Sequence, residues 1–145
     1  MSKSKDLFSS VRNVFDNAPY VQLLGIELFE VGDGQCVSKL SLEEKHFQHL
    51  GRVHGAALAA LSGQTALGAA TSVVSEEEYV VCPDFKVSLL RAAEGGTLRS
   101  TANVIKSGKM LVFVEADVIE EGKDPNKPIL KASYTFTKLQ KKDGV

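Results

Sequence analysis

His54-Gly55 stands where a polar loop gives way to the small, apolar run GAALAALSGQTALGAATSVV over 55–74. A glycine in the first turn of a helix leaves backbone N–H groups open at the positive end of the helix dipole, where they can polarise a ligand's carbonyl oxygen. Two readings are open for His54: a cap on one of those donors, or a side chain packing beside the reacting group. His46, His49 and His54 form neither a helical pair nor a zinc spacing, so no metal is expected, and no cofactor is implied. Cys36 and Cys82 fit no disulfide framework and are expected as free thiols, with a reducing cytoplasm as the setting.

The elements that must position these residues follow from periodicity. Leu7, Phe8, Val11, Val14 and Phe15 recur at helical spacing over 6–17, an amphipathic helix that Pro19 stops. Strands are expected over 26–31 and 35–42, joined as a hairpin by Gly32-Asp33-Gly34. After a polar loop over 43–53 the small-residue helix runs from about His54 to Val73, and Glu76-Glu77-Glu78 breaks it. Four more strands, over 79–90, 97–106, 110–120 and 129–138, are separated by glycine- and proline-bearing turns. In the last of them Leu130, Ala132, Tyr134 and Phe136 alternate with Lys131, Ser133, Thr135 and Thr137, giving one buried face and one wet face.

A helix apolar nearly all round must be enclosed, and short turns make the sheet antiparallel. Ala and Gly along the helix let strands approach closely, although Gly63 and Gly68 each cost about 1 kcal/mol relative to Ala, so packing or function must compensate. The expectation is an α+β domain over 1–145: a curved antiparallel sheet wrapped around one long central helix, with a short N-terminal helix. Strand edges left open by so short a chain predict a homodimer or dimer of dimers.

With 145 residues, 43% hydrophobic, and 17 basic against 18 acidic side chains, the chain carries no electrostatic footprint for nucleic acid. MSKSKDLFSS lacks the apolar core of a secretory signal, and the run over 55–74 is too rich in Ala, Gly, Ser and Thr for a membrane span; neither export nor membrane insertion is expected.

At HFQHLGRVHGAALAALSGQTALGAA the chain resembles the hotdog-fold thioesterases of the phenylacetic-acid-degradation type and their 4-hydroxybenzoyl-coenzyme A thioesterase relatives. In that pattern a His-Gly-Gly opens the central helix, a polar residue precedes the His by six positions and an acid follows it by nine. Those places hold His54-Gly55-Ala56, Gln48 and Gly63. PDFKVSLLRAAEGGTLRSTANVIKSGKMLVFVEADVIEE is similar to the family's later strands, with Asp84, Leu90 and Arg91 in step. The resemblance implies an acyl-coenzyme A thioesterase, with Gln48, His54 and Gly55 at the catalytic site and acyl-coenzyme A as substrate or ligand.

Gly63 departs from the pattern where a carboxylate would act as base or nucleophile. Gln64 is one helical step, about 100°, away and offers at best an amide to orient water. The resemblance makes Asp84 the candidate for a displaced base and Cys82 a water-positioning candidate. Their plain readings are a strand-start carboxylate bonded to backbone and a small buried hydrophobe. Arg91, Lys106 and Lys109 are implied as contacts to coenzyme A phosphates, or are ordinary exposed charges. The alternative to hydrolysis is a non-catalytic acyl-thioester binding protein that has lost its base. A hydratase would need an acid–base pairing that the sequence does not display.

Overall fold

Alternation along the C-terminal strand decides which face of the sheet is inside. In the computed structural model, which describes residues 3–143, Leu130, Ala132, Tyr134 and Phe136 are buried, while Lys131 and Ser133 between them are exposed. The elements are α1 (Lys3–Asp16), α2 (Pro19–Leu24), β1 (Ile26–Gly32), β2 (Gln35–Ser41), α3 (Gly55–Thr71), β3 (Glu78–Leu89), β4 (Thr97–Ser107), β5 (Leu111–Glu120) and β6 (Leu130–Gln140). The six strands pair antiparallel in the order β1-β2-β4-β5-β6-β3. Helix α3 packs against strands across the sheet, burying its own Leu58, Leu61, Ala66, Ala69 and Ala70. The small, apolar run that begins at Gly55 is thus the central helix, and no helix among the described residues is long and apolar enough to cross a membrane.

Helix α1 closes one end of α3. Its Val11 and Phe15 are buried, and each such side chain is worth about 1.5–3 kcal/mol relative to exposure. They press on Gly68, where an added Cβ would stand 2.6 Å from Cys36 Sγ and 3.2 Å from both Phe15 and Val11. Close approach therefore accounts for that glycine. Phe8, expected on the same apolar stripe, is 40% exposed.

Two local elements depart from the expectation. Pro19 does follow α1, but it also starts a second short helix, where its missing N–H costs nothing and its fixed φ suits the first turn. Gly25 ends that helix at φ 83°, a left-handed cap that glycine adopts without strain. The polar loop carries a 3₁₀ turn at Glu44–His46, and its His46 is buried. The His46 Nδ1 accepts the Glu43 N–H at 2.9 Å and its Nε2 lies 2.7 Å from the Leu24 carbonyl. A tautomer protonated at Nε2 satisfies both contacts. His46 thus ties the loop to α2. The His54 N–H donates to the His46 carbonyl, which hands this rigidity on to the start of α3.

Candidate functional site

His54 settles on its capping role. Its backbone is extended at φ −65° and ψ 132°, and its Nδ1 accepts the Ala56 N–H at 3.0 Å. Its carbonyl takes the amides of Ala57 and Leu58. One residue thereby takes the amides of Ala56, Ala57 and Leu58, and among the described residues no hydrogen bond takes the N–H of Gly55. Gly55 lines an open cleft of about 550 Å³ with Gln48, His54, Leu58, Leu89 and Arg91. A Cβ on Gly55 would come within 2.8 Å of the Leu89 Cδ1, so the missing side chain keeps the helix start close to β3.

Gln48 shares this cleft, but its side-chain oxygen accepts the amides of Leu50 and Arg52 and so shapes its own loop. Arg91 is at the mouth and donates one N–H to the Pro128 carbonyl at 2.8 Å.

Further along α3 the same side of the helix opens on an apolar groove of about 440 Å³. Ala56, Ala59, Ala60, Gly63 and Leu67 form its floor, and Cys82, Phe85, Tyr134 and Phe136 form its wall. Phe85 stacks on Tyr134 with ring centres 5.4 Å apart and planes 14° apart. Unlike Gly68, Gly63 is not forced by packing: a Cβ there would sit at ordinary contact distance, 3.6 Å, from the Tyr134 ring and hydroxyl. Tyr134 hydrogen-bonds to Ser62, whose hydroxyl also donates to the Ala59 carbonyl at 3.1 Å. Burial pushes the Tyr134 phenol above the ordinary tyrosine value, with the Ser62 bond pulling the other way. The Cys82 thiol is raised by desolvation, and it donates to the Asp84 carbonyl at 3.2 Å.

Several candidates lie elsewhere. Gln64 faces α1, donating its amide to the Val14 carbonyl at 3.1 Å, so its water-orienting role is withdrawn; the helical rotation that separates it from Gly63 carries it out of the groove. Asp84 is exposed and pairs with Thr135, whereas the next pair, Phe85 and Tyr134, faces the groove. Alternation therefore puts Asp84 on the outer face, away from α3 in its own chain. A bulge between Val81 and Asp84 brings Cys82 round to the groove. Cys82 is also exposed rather than buried, unlike Cys36, whose thiol burial pushes up to about 12. Lys106 and Lys109 sit by the β4–β5 turn, at the far end of β5 from Arg91. One chain does not gather these three cations round one ligand. Tyr134 and Ser62 were not anticipated as a pair; the only hint was a phenol on the inward phase of β6, which must find a partner when buried.

A sheet curled about one long helix, with a cleft at the start of that helix and a separate apolar groove farther along it beside edge strand β3, defines a hotdog domain. The chain belongs to the thioesterase superfamily, whose family model matches residues 50–125. A 1,4-dihydroxy-2-naphthoyl-CoA hydrolase of Listeria monocytogenes serotype 1/2a (strain 10403S) is 27% identical over 100 residues, covering 69% of this chain and 81% of the relative. A thioesterase family protein from Silicibacter pomeroyi superposes with a TM-score of 0.86 at 24% identity, covering 92% of this chain and 98% of that one. The PaaI protein of the E. coli phenylacetic acid degradation operon gives 0.85 at 18% identity, covering 95% and 96%. At those identities the two structures speak to the fold.

Proposed function

We propose that this protein hydrolyses acyl-coenzyme A thioesters, and that it does so as a dimer formed across β3. The observation that carries the first part is the uncommitted Gly55 N–H in a cleft at the start of α3, with an apolar groove farther along the same helix. That donor polarises the thioester carbonyl, and charge developing on the oxygen is stabilised where the helix dipole is positive. The acyl chain lies on the small residues of α3. Water adds to the acyl carbon, the C–S bond breaks, and free coenzyme A and a carboxylic acid leave.

The second part follows from distance. Gly55 and Gly63 are separated by eight helical steps, about 12 Å along the axis, too far for one thioester to meet both within a chain. Strand β3 pairs only with β6 and ends the sheet, and Phe85 and Leu89 on it are 57% and 55% exposed. Gly55 lies by the Leu89 end of β3 and Gly63 by the Cys82 end. An antiparallel β3–β3 pairing between two copies therefore brings Gly55 of one beside Gly63 of the other, and covers an edge that is otherwise open. The same pairing carries Lys106 and Lys109 of one copy to the end where Arg91 of the other stands. That supports one phosphate-binding rim built from both copies.

The test is a panel of aliphatic and aromatic acyl-coenzyme A esters offered to purified protein, read as free-thiol release and as thermal shift, with sedimentation run in parallel. Thiol release by a dimer or larger assembly is expected. A shift without release on any ester would make the protein an acyl-thioester binder, a reading to which only Gly63 lends weight. A stable monomer at micromolar concentration would remove the shared site.

A further inference from the structure

The groove has no carboxylate at position 63, yet it is not without a polar group there. The Tyr134 hydroxyl stands 3.6 Å from where a Cβ at 63 would be, and Tyr134 is 4% exposed. Its hydroxyl and that of Ser62 are bonded to each other, and both reach the Ala59 carbonyl, Ser62 at 3.1 Å and Tyr134 at 3.4 Å. Counting donors settles what remains. Whether Tyr134 gives its proton to Ser62 and Ser62 its own to Ala59, or Ser62 gives to Tyr134 and Tyr134 to Ala59, both donors are spent and the phenolic oxygen keeps a lone pair to offer. A methyl group on Gly63 would fit at ordinary contact distance, so the empty volume is not a packing requirement; it is room beside that oxygen.

We infer that Tyr134, held by Ser62, positions the attacking water in the volume that Gly63 leaves open, taking over the orienting part of the missing acid's duty. The inference rests on the hydrolytic, dimeric reading above, in which this volume faces the thioester bound at Gly55 of the other copy. Tyr134 is a positioning residue here. Its hydroxyl accepts one O–H of the water, and it neither gains nor loses a proton. The water oxygen bonds to the acyl carbon, the other water proton passes to solvent, and the sulfur departs with the electrons of the C–S bond, to be protonated by solvent. A phenol kept neutral by burial suits this role across the working pH range, because its hydrogen bonding does not change with pH. Without a general base in the pocket, the wild-type rate rises with pH and shows no break in the carboxylate range.

Gly63→Ala and Tyr134→Phe test the inference from opposite sides. Alanine improves helix propensity and meets no clash, so its melting temperature rises by about 3 °C. Its methyl nevertheless takes the water's place, and kcat falls about tenfold or more while KM for the ester changes by less than about twofold. Tyr134→Phe keeps the ring stack with Phe85 and loses only the hydroxyl; it lowers kcat by a similar factor and leaves the slope of the pH profile unchanged. The double variant falls no further than the worse single one, since both remove the same water. A more stable Gly63→Ala protein with wild-type kcat overturns the inference, as do fully additive losses in the double variant. Either result leaves the hydrolase reading in place. A wild type that releases no thiol from any ester, while still showing thermal shifts with them, overturns both together.

Discussion

Gly63 and Gly68 occupy one helix, and an added methyl group would meet opposite surroundings at the two. At 68 it would strike Cys36 Sγ at 2.6 Å, with Phe15 and Val11 behind; at 63 its nearest neighbours would be the Tyr134 ring and hydroxyl, at 3.6 Å. Helix propensity penalises both glycines equally. The first is explained by the clasp of α1 and β2 on α3, the second by the groove. Small residues in a central helix thus do two jobs, closing the core at one end and opening a binding surface along the other side.

The sharpest way to press this contrast is to put a charge where packing permits it. Gly63→Asp places a carboxylate beside the Tyr134 hydroxyl, which can donate to it, and supplies the base that the groove lacks. Like the methyl of alanine, this side chain displaces the water beside Tyr134, but unlike a methyl it can hold a water of its own and take its proton. Hydrolysis is therefore expected to rise about 10²-fold, within the span typical of general-base assistance, and the pH profile to gain a break where the new carboxyl titrates. Some stability is lost to desolvation of the charge. Thiol release that falls in a folded, ligand-binding Gly63→Asp protein would show that another residue is the base.

Gly55→Val asks whether the helix start is part of the same groove. The new side chain meets Leu89 at 2.8 Å, and because that atom is the flexible end of a side chain the fold is expected to survive. Approach of the thioester to the Gly55 N–H is obstructed, and hydrolysis should fall about 10²-fold, comparable to loss of one oxyanion donor. Steady-state kinetics of the folded variant check this; an unchanged rate would detach Gly55 from the chemistry.

Gly68→Ala probes the other half of the comparison. Overpacking is expected to cost about 2 kcal/mol, read by denaturant unfolding, with turnover per folded molecule unchanged. Cys36→Ala in the same chain removes the closest clashing atom and should recover part of the loss. If Gly68→Ala were as stable as the wild type, the distinction between the two glycines would collapse.

Much of the frame is legible in the sequence. Alternation along β6 marked its buried face because side chains in a strand have a period of two, and the all-round apolar character of the run over 55–74 called for enclosure. The Gln64 direction was half legible: a 100° rotation separated it from position 63, but its bond to the Val14 carbonyl depended on where α1 docked. Asp84 illustrates the opposite case. Its phase on β3 turns on a bulge at Cys82-Pro83, and one extra residue in a strand reverses which face every later side chain addresses.

The amino-acid sequence by itself determined the six strands, the two longer helices and their order, the inward face of β6 and the glycine at the head of α3, because these rest on local periodicity and backbone chemistry. Only the tertiary structure decided that His54 spends its polar groups on three amides and leaves that of Gly55 uncommitted. It also decided that Gly68 is a contact while Gly63 is a space, and that Tyr134 meets Ser62 across 72 positions of chain. Such pairings depend on how the sheet curls round the helix, and that curl is set by the packing of all six strands at once.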